Sequence, residues 1–413
     1  MRQSRHRFAG AVLIAVVGIA GASTITATPA QAAAVAVRQD PVREDQWQLD
    51  ELRASHAWRH STGEGVTVAV IDSGVDGSHP DLAGQVLPGI DLVAGSGDGR
   101  TDPVGHGTTV AGLIAGRNDD SSGVLGLAPS AKILPVRVLD AENRYDDALI
   151  VAKGVRWAVD NGARVINLSL GGSGDSPALA AAIDYAFARD VVVVACTGNL
   201  APEAPTEVWY PAREPGVVAV TGLERESESL WSGAITGGAT VLSAPATGLL
   251  GARPGGTWKV QGTSFAAPLV SATAALVRSR WPGMSAATVV NRLISTADDL
   301  GAVGRDDRFG YGLVDPVAAL TTGISTVERN PLDNNDPPGV AGFGAAPGVT
   351  TAEAATADGP HTVGGKAPGT TAGWAAEPVG AVEHHHGGLF GGATVLIALL
   401  SAAAVVLRRR LRR

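Results

Sequence analysis

The sequence predicts an α/β domain in which a mainly parallel β-sheet is covered by helices on both faces. Short runs rich in β-branched residues recur at Val66–Ile71, Lys132–Val138, Arg164–Leu168, Val191–Ala195 and Val217–Val220. They are apolar almost throughout instead of alternating, as suits strands buried on both faces of a parallel sheet. Stretches of helical pattern separate them, and that β–α alternation implies a doubly covered layer. Functional groups of such a sheet gather at the carboxyl ends of its strands. Asp72 stands there, directly after Val66–Ile71.

Taken in order, the chain opens with Arg2, Arg5 and Arg7, an apolar run from Phe8 to Ala20, and the small-residue site Ala30-Gln31-Ala32. A basic segment, an apolar segment and an A-x-A site form a secretory signal peptide, here residues 1–33. The same pattern retained would be an N-terminal anchor. A short extension, residues 34–46, leads to the α/β domain, residues 47–320. From 321 to 388 the composition shifts to Gly, Ala, Pro and Thr without periodicity, the mark of a flexible linker. As a coil it would span roughly 45 Å.

Leu389–Leu407 is uncharged and long enough, at 1.5 Å per helical residue, to cross about 30 Å of hydrocarbon. The basic tail 408–413 follows, and basic residues stay on the cytoplasmic side. The expected arrangement is a single-pass protein of the cell membrane with its domain outside and its C-terminus inside. His384-His385-His386 beside this run reads as solvated tether.

The net charge of −8 gives no basic footprint for nucleic acid. One cysteine, Cys196, excludes an intrachain disulfide, so stability must come from a large core. Cys196 follows Val191–Val194 and reads as a small core residue.

Three separated motifs carry the chemistry: VAVIDSGV around Asp72, GHGTTVAGLIAG around His106, and GTSFAAP around Ser264. A serine hydroxyl needs an adjacent base to act as a nucleophile at neutral pH. His106 can take its proton, and Asp72 can hold the imidazole in the required tautomer. Small residues and Pro268 after Ser264 suit the start of a helix, where the serine amide and the helix dipole would face a developing oxyanion. Asn199, ending VVVVACTGN, is the candidate second donor to that oxyanion hole, although Asn after Gly is also an ordinary turn residue.

The order Asp, His, Ser is the subtilisin order. Residues 47–320 resemble the subtilisin-like serine proteases. The likeness extends to HPDL (His79–Leu82), GLAPSAKILPVRVLD (Gly126–Asp140), INLSLGG (Ile166–Gly172), YPA (Tyr210–Ala212) and FGYGLVDPVAAL (Phe309–Leu320). The resemblance implies a three-layer subtilisin-like fold and a hydrolase acting on protein or peptide substrates. It also implies that Ser169, Leu170, Gly171 and Gly172 pair their backbone with an extended substrate. Ala195–Gly198 and Tyr210 would help line the main specificity pocket, and His79 would be a structural turn residue.

A signal peptide, a short extension, a subtilase domain, a Pro/Gly-rich linker and one C-terminal membrane helix together resemble the mycosins. These are the membrane-anchored subtilases of actinobacterial type VII secretion. That likeness implies substrate processing and stabilisation of the secretion complex, with a mainly structural role or a general anchored subtilase as alternatives. The chain departs from mycobacterial mycosins in having no cysteines for their disulfides. No cofactor is expected; Asp81 and the loop Asn118–Gly123 offer hard oxygen ligands that a structural calcium would take, but acidic loops are usually just solvated.

Overall fold

The structure, a computed structural model, describes residues 41–117, 123–202 and 204–333. The predicted signal peptide, most of the extension, the linker beyond 333, the membrane run and the basic tail lie outside the described residues, as do residues 118–122 of the acidic loop.

Three short helices open the described chain, α1 (Pro41–Glu44), α2 (Trp47–Glu51) and α3 (Ala54–Ala57). The body then alternates between strand and helix from β2 to β5, after which strands follow directly: β1 (Thr67–Asp72), β2 (Ile90–Asp91), α4 (His106–Ala115), β3 (Lys132–Arg137), α5 (Ala148–Asp160), β4 (Val165–Leu168), α6 (Pro177–Ala188), β5 (Val192–Cys196), β6 (Val218–Leu223) and β7 (Leu242–Pro245). A hairpin of β8 (Leu249–Arg253) and β9 (Gly256–Val260) precedes α7 (Thr263–Arg280), α8 (Ala286–Ser295) and α9 (Pro316–Thr321).

The strands form one parallel sheet in the order β2-β3-β1-β4-β5-β6-β7. After β3 the chain crosses over β1 to reach β4. The strand order therefore changes direction at β1, and a crevice opens at the carboxyl end of such a strand. Asp72 is the last residue of β1. Helices cover the sheet: α5 packs with α6, and α4 packs with α7, which also lies along β4, β5, β6 and β7. Every residue of β4, β5, β6 and β7 is buried, which is why these segments read as continuous apolar runs. Helix α7 is buried from Thr263 to Val277, and over that length it too is apolar or small all round.

The starts of α4 to α9 divide into two kinds. Asp147, Ser176, Ser285 and Asp315 cap α5, α6, α8 and α9 with side-chain oxygens that accept from the first-turn amides. By contrast, α4 and α7 begin after Gly105 (φ 86°) and Gly262 (φ 142°), which have no side chain to cap with. That backbone suits glycine and leaves the first turns of these two helices open to other partners.

β2, β7 and the hairpin were not among the predicted strands. β2 has two residues, β7 (LSAP) and β8 (LLGAR) hold no β-branched residue, and β9 (GTWKV) is only partly buried, so none shows the buried β-branched run that marks the other strands. The packed body also reaches past both sequence boundaries. Gln46 of the extension donates to Leu125 O and accepts from Leu125 N, both at 2.9 Å. In the stretch assigned to the linker, Leu332 packs against the core, and Asn330 Nδ2 donates to Gly216 O at 2.8 Å. Among the described residues no helix is long and apolar enough to cross a membrane.

Candidate active site

Asp72 is fully buried at the end of β1. Its Oδ1 accepts from the Ser73 amide at 2.8 Å and from His106 Nδ1 at 2.7 Å. A carboxylate only accepts, so Nδ1 carries the ring proton and Nε2 is the basic nitrogen. His106 is the first residue of α4, and its ring centroid lies 5.2 Å from that of Phe265, the residue after Ser264. The packing of α4 on α7 thus brings the starts of both helices to the end of β1.

The approach to His106 is built around a second buried carboxylate, Asp102, which sequence reasoning missed. Its Oδ1 accepts from Ser73 Oγ (2.9 Å), Val104 N (3.1 Å) and Gly105 N (2.7 Å). Its Oδ2 accepts from Thr108 N (2.8 Å) and Thr108 Oγ1 (2.6 Å). Asp102 takes over the capping that Gly105 cannot supply. Burial pushes its carboxyl above the ordinary range; the Thr108 and Gly105 donors pull the other way, and Asp72 adds to the rise. Ser73 Oγ, having donated to Asp102, accepts from Gly107 N at 3.0 Å, which locks the residues beside Asp72 and His106 together. The Asp-Pro turn four residues before His106 was the available signal.

Ser264 is the second residue of α7 and is nearly fully buried. Pro268 has no N–H, so the Ser264 carbonyl four residues earlier lacks its helical donor. Ser169 Oγ supplies one at 2.6 Å. Ser169 in turn accepts from Asn167 Nδ2 (2.9 Å), whose Oδ1 accepts from Ser271 Oγ (2.9 Å). A buried hydroxyl and amide relay therefore ties the carboxyl end of β4 to the Ser264 turn.

Asn199 sits on the other side of that turn. Its Oδ1 accepts from Thr263 N at 3.0 Å and Thr263 Oγ1 at 2.8 Å. With the oxygen anchored, the amide nitrogen is the end that can donate toward a group bound at Ser264. Thr263, a further residue that the sequence reading did not single out, fixes this orientation. Cys196 is fully buried in β5, as expected of a core residue, and its thiol lies 3.8 Å from Ser264 Oγ. Burial pushes the thiol up to about 11, so it stays neutral and does not compete for the imidazole.

Of the predicted substrate-pairing residues, Gly172 has both backbone groups occupied: its amide donates to Tyr210 O at 2.9 Å and its carbonyl accepts from Tyr210 N at 2.8 Å. On the same segment the Leu170 carbonyl accepts from the Cys196 thiol at 3.9 Å, and Ser169, Leu170 and Gly171 are buried. His79 has the structural character expected of it, its Nδ1 accepting from Asp81 N (3.2 Å) and its Nε2 contacting Gly256 O (3.1 Å). Asp81 Oδ2 accepts from Val124 N at 2.7 Å. Among the described residues, no three His, Cys, Asp or Glu side chains gather as a metal site.

The model of the subtilase family matches residues 63–312. Subtilisin E of Bacillus subtilis is 41% identical over 260 residues, covering 62% of this chain and 66% of its own length. The chain thus spans just under two thirds of that relative. Thermitase of Thermoactinomyces vulgaris is 36% identical over 263 residues, covering 63% of this chain and 90% of thermitase. Among solved structures, MycP1 with its N-terminal propeptide removed aligns with a TM-score of 0.62 at 31% identity, covering 68% of this chain and 98% of MycP1. MycP1 from Mycobacterium smegmatis aligns at 0.62 and 30% identity, over 70% of this chain and 88% of the other. MycP3, described as a protease of the type VII (ESX-3) secretion system, aligns at 0.58 and 35%, over 67% and 88%.

Proposed function

The chain belongs to the subtilase family, and on that premise we propose that it is a serine endopeptidase acting through Asp72, His106 and Ser264. The observation that carries this reading is the 2.7 Å contact of His106 Nδ1 with the buried Asp72. It fixes the imidazole tautomer with Nε2 as the base. Ser264 Oγ attacks the scissile carbonyl carbon as Nε2 takes its proton, and Asp72 stabilises the imidazolium so formed. The oxygen of the tetrahedral intermediate, now negative, accepts from Asn199 Nδ2 and the Ser264 amide at the start of α7. His106 then gives its proton to the leaving amine. The acyl-Ser264 ester is hydrolysed by water activated at the same base.

The same proposal places the enzyme outside the cell membrane, held by Leu389–Leu407, in the service of a type VII secretion system. Its support is the likeness to MycP1 and MycP3 together with the apolar run and basic tail of the sequence. A fluorophosphonate probe is expected to label the protein on one residue, and Ser264→Ala to abolish the label. Labelling that survives Ser264→Ala would remove the assignment.

A further inference from the structure

The geometry points to Trp209 as the residue that sets primary specificity. Its indole fills the opening beside Ser264 where the acyl-side residue of a substrate would lodge, which restricts that residue to glycine, alanine or serine. The inference rests on the proteolytic reading above and names its substrate class.

Strands β4 and β5 stay paired up to Leu168 and Ala195 and are not paired beyond. Both continuations are bound to the Ser264 turn: Ser169 holds the Ser264 carbonyl, and Asn199 holds Thr263. The space between them is therefore next to the nucleophile. Trp209 and Tyr210 bridge its far side. Trp209 N donates to Thr197 O at 3.0 Å on the β5 continuation, and Tyr210 exchanges two hydrogen bonds with Gly172 on the β4 continuation.

The indole lies in the space so enclosed. A methyl group placed on Gly198 would come within 2.4 Å of Trp209 Cδ2, 2.7 Å of Cε2 and 2.8 Å of Cγ. One placed on Gly171 would lie 3.1 Å from Trp209 Cβ and 3.5 Å from Cε3. The indole thus lies tight against Gly198 and in ordinary van der Waals contact with the Gly171 position, both of which lack side chains to give way. It is 1% exposed, so no solvent-filled pocket surrounds it. A large acyl-side residue would have to displace a packed tryptophan, whereas a methyl or hydroxymethyl group needs little depth. Packed interiors resist added volume, and even one methylene in an apolar pocket changes discrimination by about 10–200-fold.

The test uses two peptide diphenyl phosphonates, identical except for alanine or phenylalanine beside phosphorus, on the full-length protein in detergent. Labelling of Ser264 is read by intact mass, with a fluorophosphonate run in parallel. The alanine probe is expected to label faster by about a hundredfold. Trp209→Phe should keep that preference and Trp209→Ala should collapse it. Phenylalanine labelling as fast as alanine on the unaltered protein overturns the inference without needing any variant to fold. So does fluorophosphonate labelling with no reaction from either peptide, or a Trp209→Ala protein that takes up the fluorophosphonate but keeps the full alanine preference. If the fluorophosphonate itself does not label Ser264, the proteolytic reading falls and this inference with it.

Discussion

Pro268 gives the residue-scale logic of the Ser264 turn. A proline inside a buried helix removes one N–H and orphans one carbonyl, and here that carbonyl belongs to Ser264 itself. The Ser169 hydroxyl satisfies it at 2.6 Å, so the proline that opens the helical ladder also recruits β4 to position the nucleophile. Ser169→Ala should leave a buried carbonyl without a donor and cost about 1–3 kcal/mol. Adding Pro268→Ala restores the helical N–H and should recover most of that loss. The two changes would therefore be strongly non-additive in a double-mutant cycle read by urea unfolding. Additive losses would show that the two residues do not share the carbonyl. Slower fluorophosphonate labelling of the single variant, regained in the double, would tie the relay to reactivity as well as stability.

At the scale of elements, the short helix α1 is held to the hairpin by Val42, buried with Leu250 and Ala252 of β8, and by charge around Asp45. Asp45, just after α1, meets Lys259 at 2.7 Å and Arg225 at 3.5 Å. The hydrogen bond from Lys259 holds its carboxyl below the ordinary 3.8; burial opposes this, and the charges of Lys259 and Arg225 reinforce it. A carboxyl lowered in the folded state contributes stability that is fully present above its unfolded value and is lost as pH falls through the lowered one. Each half-exposed pair is worth about 0.2–1 kcal/mol. Amide exchange over residues 41–47, corrected for its intrinsic rate, should hold steady from about pH 6 to 5 and speed up by about 2–5-fold toward pH 3. Asp45→Asn should be fast at every pH; an unchanged acid step in that variant would point to another group. Elements of this kind mark what could be read in advance. β1, β3, β4, β5 and β6 were evident because a strand buried on both faces must be apolar, and Asp72, His106 and Ser264 because each carries its own local motif. Thr263 and Trp209 escaped notice because their contacts join segments apart in sequence, whereas Asp102 caps its own local turn and was signalled only by its Asp-Pro step. Trp209 matters through Gly171 and Gly198, which meet it only once β4 and β5 are paired.

The whole molecule achieves its stability without a disulfide, since Cys196 is its only cysteine, and so depends on closing every edge of a large core. Residues 321–333 contribute to that closure. Arg292 donates to Thr322 O (2.7 Å), Val327 N donates to Thr288 Oγ1 (3.2 Å), and Gly216 N donates to Leu332 O (3.0 Å). Each of these bonds is worth about 0.5–1.5 kcal/mol net. A protein ended after Leu320 should therefore melt about 4–8 °C below one ended after Asp333. Equal melting temperatures would make the segment a passive start to the linker. The same pair addresses the anchoring proposal, because both lack Leu389–Leu407. The form ended at Asp333 should take up the fluorophosphonate as fast as the full chain, yet leave the membrane fraction. If it stays with the membrane, the holding contact lies on the folded domain, and Leu389–Leu407 is not what tethers the enzyme.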